Sequence, residues 1–224
     1  MVFKEIQMDI PYINNNSENN SIDDYEKTWK WKRRQFQLMT RCMTSMVERL
    51  IPSVKTKNYW KVLIECVYDN PKIGYTNMIG VCVIQIQFDI EGFFKMEDIE
   101  KKRYIIEKIL YTTSLLSENG LTELEVIKDA CKSIINNGYV NEWYWKKPVK
   151  KKDHSVQIKL VHDINDISIF MVFNNDECRV EKLLLKALPD EWDYGKYLGK
   201  LEWVTDDKAQ LIGKNGEVYS CDLN

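Results

Sequence analysis

A chain of 224 residues with 44% hydrophobic and 12% aromatic content has enough apolar surface for one large core or two smaller ones, which excludes disorder throughout. Its net charge of -2, from 32 basic and 34 acidic residues, excludes a global field drawing it to nucleic acid or an anionic membrane. Binding of that kind would need a local patch.

Val2 to Ile10 has the make-up of a first strand, and Pro11–Asn20 is a polar, Asn-rich loop. Ser21-Ile22-Asp23-Asp24 has capping-box form and predicts a long amphipathic helix over 21–51. Its stripe is Ile22, Tyr25, Trp29, Phe36, Met39, Met43, Met46 and Leu50, and Pro52 ends it. Tyr59–Tyr68 and Met78–Phe88 alternate as strands. With turn chemistry between them, they are expected to pair as an antiparallel hairpin. Two helices follow, over Lys95–Ser117 and from a second capping box at Thr122–Glu125 to Asn137-Gly138, and are expected to form a helical hairpin on the sheet.

Apolar periodicity then changes from helical to strand-like. Strands are expected over Val156–His162, Ile167–Phe173, Cys178–Ala187, Leu201–Val204, Ala209–Ile212 and Glu217–Cys221. Asn215-Gly216 supplies a hairpin signal between the last two. The expected fold is α+β. Residues 1–145 form a mixed part with the long helix, the hairpin and the two-helix pair, and 146–224 an antiparallel β-meander.

Catalytic motifs are missing. No GxGxxG, GxxxxGK[ST], GxSxG or HExxH occurs. The two histidines, His154 and His162, share strand parity and stand ~26 Å apart along an extended chain, so they do not bind one metal from that strand. Pro189-Asp190-Glu191 resembles the start of some nuclease sites but lacks a nearby acid-x-lysine partner, which leaves a polar turn. The six cysteines contain no CxxC pair and suit a reduced intracellular protein. No catalytic residue, metal site or cofactor is expected.

Two aromatic–basic clusters remain as candidate binding surfaces. One comprises Trp143, Tyr144, Trp145, Lys146, Lys147, Lys150, Lys151 and Lys152, within 139–153; the other is Trp31 with Arg33 and Arg34. Aromatics beside cations suit protein interfaces and nucleic acid alike, and the near-neutral total charge favours protein. The bland alternative is that Trp143 and Trp145 enter the core and the lysines form a solvated connection.

The longest apolar runs are shorter than the roughly 20 residues needed to cross a bilayer, and the N-terminus lacks a signal-peptide core. These features point to a non-catalytic cytoplasmic protein that binds a partner protein, such as a toxin or effector, in the manner of an immunity protein or antitoxin. Nucleic-acid binding through the lysine run is the alternative, and an enzyme whose acids assemble only in three dimensions is a third. The Asn, Lys and Ile richness matches a low-GC bacterium or its phage.

Overall fold

The computed structural model describes residues 1–11, 25–174 and 178–223. The expected loop after Pro11, the Ser21–Asp24 capping box and the middle of the turn before Cys178 lie outside the described residues. The fold is α+β, in two units, Met1–Val140 and Asn141–Asn224.

In the first unit, strands β1 (Glu5–Asp9), β2 (Lys61–Val67), β3 (Tyr75–Met78) and β4 (Val81–Gln87) form one sheet in the order β1-β2-β4-β3. β1, β2 and β4 run parallel, and β3 pairs antiparallel with β4. The antiparallel pairing expected for 59–68 and 78–88 is therefore corrected. Opposing Val62 to Cys82, Ile64 to Ile84 and Cys66 to Ile86 buries the same side chains in either direction, so alternation does not reveal orientation. The intervening segment decides. It contains β3, which carries the chain back along the outer side of β4, so that β4 re-enters parallel to β2.

Helix α1 (Lys30–Leu50) follows a π turn at Tyr25–Trp29. Trp29, Phe36, Met39, Met43 and Met46 of its stripe are buried, whereas Leu50 is exposed at the end. Next come α2 (Ile90–Lys95), α3 (Asp98–Glu118), a 3-10 turn at Thr122–Glu125 and α4 (Val126–Asn136). The helix expected over 95–117 is α3, and the short α2 before it is an additional helix. Asp89 caps α2 by accepting from the Gly92 N–H at 2.9 Å, Met96 is extended, and Glu97 with Glu100 forms the reciprocal box that starts α3. Thr122–Glu125 does not close the expected capping box, and Glu125 instead accepts from Ser117 Oγ at 2.9 Å.

Phe36 of α1 is fully buried, edge-on to Phe88 beyond β4 at 5.3 Å and to Phe93 of α2 at 5.4 Å; Phe88 lies 4.8 Å from Tyr104 of α3. One aromatic cluster thereby joins three helices to the end of a central strand. On β1, the Ile6 N–H donates to Glu48 Oε1 at 2.8 Å, and Arg41 holds both carboxylate oxygens at 2.7 Å. Cys42, Cys66, Cys82 and Cys131 are buried. Burial pushes the thiols of Cys82 and Cys131 up to about 12 and that of Cys66 well above its usual value, the opposite of an activated nucleophile.

In the second unit, β5 (Glu142–Lys151), β6 (His154–His162), β7 (Ile167–Asn174) and β8 (Arg179–Ala187) form an antiparallel sheet in sequence order. A short helix, α5 (Glu191–Tyr194), leads to a second antiparallel sheet of β9 (Lys200–Trp203), β10 (Lys208–Ile212) and β11 (Val218–Asp222). The meander is therefore folded into two layers. Val156, Ile158, Leu160 and Phe173 of one sheet share a core with Ala209 and Leu211 of the other. Asn215-Gly216 turns β10 into β11 as expected, with Gly216 at φ 85°.

Replacing Phe36 by Ala should lower the unfolding free energy by about 3–5 kcal/mol, the usual cost of emptying a buried aromatic site. Urea unfolding followed by near-UV circular dichroism measures it. A cost below about 1 kcal/mol would remove the aromatic cluster from its central place.

Candidate functional site

β5 begins just after the break between the units and carries the first expected surface wholly within the second unit. Trp143 and Trp145 are half-buried and pack against that unit's core, with Lys146 Nζ 4.1 Å above the Trp145 ring. Tyr144 faces the other side of the sheet and accepts a 2.6 Å hydrogen bond from Arg179. The ladder to β6 is interrupted between Trp145 and Val149, where Lys146 has φ 60°. Pro148, unable to donate to a ladder, lies in that interruption.

The lysines separate as well. Lys146 donates to the Gly199 carbonyl at 3.3 Å, and Lys151 and Lys152 both reach Asp206, at 3.0 and 2.6 Å. Lys147 and Lys150 are exposed, and their side chains make no ion pair or hydrogen bond among the described residues. The positive field of the run is thus partly neutralised within the unit. In the other cluster Trp31 is 68% exposed and Arg34 is exposed. Arg33 instead clamps buried Asp9 with contacts of 2.9 and 2.5 Å.

Two of the residues singled out for chemistry, His162 and Asp190, are engaged in the fold. His162 is buried beside Trp143 and Tyr194, and its backbone N–H donates to the Asn141 carbonyl at 2.8 Å. Asp190 caps α5 by accepting from the Trp192 N–H at 2.9 Å. No group of three or more His, Cys, Asp or Glu side chains suited to holding a metal occurs among the described residues.

A different surface lies on the β3–β4 hairpin of the first unit. β3 is an edge strand, Tyr75-Thr76-Asn77-Met78, and every residue in it is exposed. It has none of the lysine, proline or bulge devices that usually blunt a sheet edge. Fully exposed Ile73 precedes it, and Met78 and Ile79 are exposed at its far end. Ile79 and Gly80 form the two-residue turn, with φ 53° and 81°. A two-residue turn with both φ positive belongs to the type I′ class, which favours Asn, Asp or Gly at its first position. A β-branched residue there is strained. Yet Ile79 is 98% exposed, so no burial offsets the strain.

Gly80 is required twice over. Its φ is left-handed, and a Cβ there would stand 2.8 Å from the Trp60 ring. Asn77 supports the turn by accepting from the Gly80 N–H at 3.2 Å and donating to the Asn58 carbonyl at 3.0 Å. The turn is therefore built firmly, with an apolar side chain projecting from it. The sequence hides this turn, because Ile79 is apolar where turn chemistry calls for a polar residue.

No family model, curated protein or solved structure matches the chain.

Hydrogen bonds from Lys152 and Lys151 lower the Asp206 carboxyl from 3.8 to about 2. A carboxyl lowered on folding adds stability that is complete above its unfolded value and lost as pH falls through its folded one, so the lysine contacts should loosen between pH about 4 and about 2. The side-chain carboxyl carbon resonance of Asp206 should titrate with a midpoint near 2, moving up in Lys152→Gln. An ordinary midpoint in the unaltered protein would mean that the two lysines are free.

Proposed function

We propose that the chain works by binding another protein, as a non-catalytic inhibitor of immunity or antitoxin type acting in the cytoplasm, and that the β3–β4 hairpin is its contact surface. The observation carrying this reading is Ile79. A strained residue held with its apolar side chain in solvent lowers the stability of the isolated chain. Such strain persists where function uses it. An apolar anchor on a rigid turn is the kind of group that dominates interface energetics once a partner pocket desolvates it.

The adjoining edge supports the same reading. The unpaired side of β3 offers backbone donors and acceptors to an extended partner segment, and Ile73 and Ile79 flank it with apolar contacts. Sheet extension of this kind needs no charge, in keeping with a net charge of -2. Nucleic-acid binding draws less support, because Asp206 pairs with two cations of the lysine run and Lys146 is turned towards Trp145 and Gly199.

Ile79→Asn separates stability from binding. Asn tolerates the left-handed region, so the variant should be more stable than the parent by about 1 kcal/mol. It should nevertheless lose at least tenfold in affinity for the protein that co-purifies stoichiometrically with the parent chain. Thermal unfolding and a binding isotherm with that protein measure the two effects. Unchanged affinity in Ile79→Asn, or a parent chain that carries no stoichiometric partner from its own cells, would sink the proposal.

A further inference from the structure

A cleft of about 910 Å³ opens in the first unit, at the carboxyl ends of the parallel strands β2 and β4 and against α3 and α4. Crevices outside the carboxyl ends of parallel strands are habitual ligand sites, and this volume is within the range that encloses small organic molecules. Tyr68 and Gln87 line it from the strand side, Tyr104, Lys108 and Tyr111 from α3, and Lys128 and Lys132 from α4.

The α3 residues stand at i, i+4 and i+7 and so share one helical face. Lys108 lies between two phenol rings on that face, with its ammonium 4.8 Å from the Tyr104 ring centroid. Its side chain is only 18% exposed, and its closest carboxylate oxygen among the described residues, on Glu107, is 3.9 Å away. That is beyond hydrogen-bond reach. The Lys108 ammonium makes no hydrogen bond among the described residues and keeps some contact with solvent, so it is open to an anionic acceptor.

The other cations differ. Lys128 is paired with Glu125 at 3.1 Å and Lys132 with Asp129 at 3.0 Å, at the exposed rim of α4. Of the acids lining the cleft, Asp89 is engaged with the Gly92 N–H as a helix cap, and Glu107 is exposed. The rings are placed asymmetrically too. Tyr104 packs on Phe88, and Tyr68 donates to Glu91 at 3.0 Å, so both are fixed. Tyr111 is exposed, and its side chain makes no ring contact or hydrogen bond among the described residues.

We infer that this cleft binds a small organic anion bearing one aromatic ring and one anionic head, of the size of a nucleoside monophosphate. The head lies on Lys108, with Lys128 and Lys132 adding long-range attraction, and the ring stacks on Tyr111. A flat ring gains on a phenol face, and a phosphate or carboxylate supplies the acceptor that Lys108 lacks. The inference is independent of the hairpin surface and concerns other residues.

Isothermal titration of the full chain with AMP, UMP and 4-hydroxyphenylacetate distinguishes a phosphate-bearing base from an aromatic carboxylate. Inorganic phosphate and adenosine serve as half-ligands. At least one complete ligand should bind one to one with a submillimolar Kd, at least tenfold more tightly than either half-ligand, and more weakly as salt rises. Lys108→Gln should weaken it at least tenfold. Tyr111→Ala, at an exposed site where folding is not at stake, should weaken it at least threefold. The site is overturned if no panel member binds, if inorganic phosphate binds as well as the complete ligand, or if both variants keep the parent affinity within twofold. Should Lys108→Gln fail to fold, the Tyr111→Ala result decides alone.

Discussion

The packing of Phe36 against Phe88 and Phe93 governs the first unit. Phe36 belongs to α1, Phe88 follows β4, and Phe93 belongs to α2, so this triangle of rings fixes the longest helix over the end of a central strand. Tyr104 extends the cluster into α3 through Phe88. The cluster also borders the cleft, since buried Phe88 and the half-buried Tyr104 packed on it both line it. Once α3 is positioned this way, Lys108, one turn further along, has to emerge beside the strand ends.

Polar interactions around this core mainly satisfy groups that folding would otherwise strand. Glu48 completes an edge donor on β1 while Arg41 neutralises it, and Arg33 neutralises Asp9, which is buried at the end of the same strand. Removing one partner from such a pair leaves a buried group unsatisfied, which costs more than the pair contributes. In Arg33, a cation beside an exposed tryptophan on the helix serves β1 and is committed inside the fold.

Periodicity made much of this fold legible. The α1 stripe, the alternation in β2, β4 and β6, the Asn215-Gly216 turn and the Gly138 helix end follow from local chemistry that a single sequence displays. Strand direction was not legible, because opposed side chains meet alike in parallel and antiparallel ladders. Nor was the short helix α2, which Asp89 caps directly after β4 and which is too brief to show a helical period. The aromatic–lysine stretch stood out by composition, but its alternating pattern also fitted a strand with one face inward, and Trp143 and Trp145 take that face. The hairpin tip was hidden for the reverse reason: Ile79 looked like the continuation of an apolar strand, and only its backbone angle marks it as a turn. The cleft was hidden because its residues come from three segments that meet only after the sheet and helices have packed.

The four buried thiols have a further consequence for how the first unit can be watched. Cys42 is on α1, Cys66 on β2, Cys82 on β4 and Cys131 on α4, so each reports on a different element. A thiol reacts as its thiolate, and burial suppresses that form while also excluding the reagent. Alkylation of each sulfur must then await an opening of its own element, and the four rates together amount to a map of which parts of the unit breathe independently and which open only with the whole.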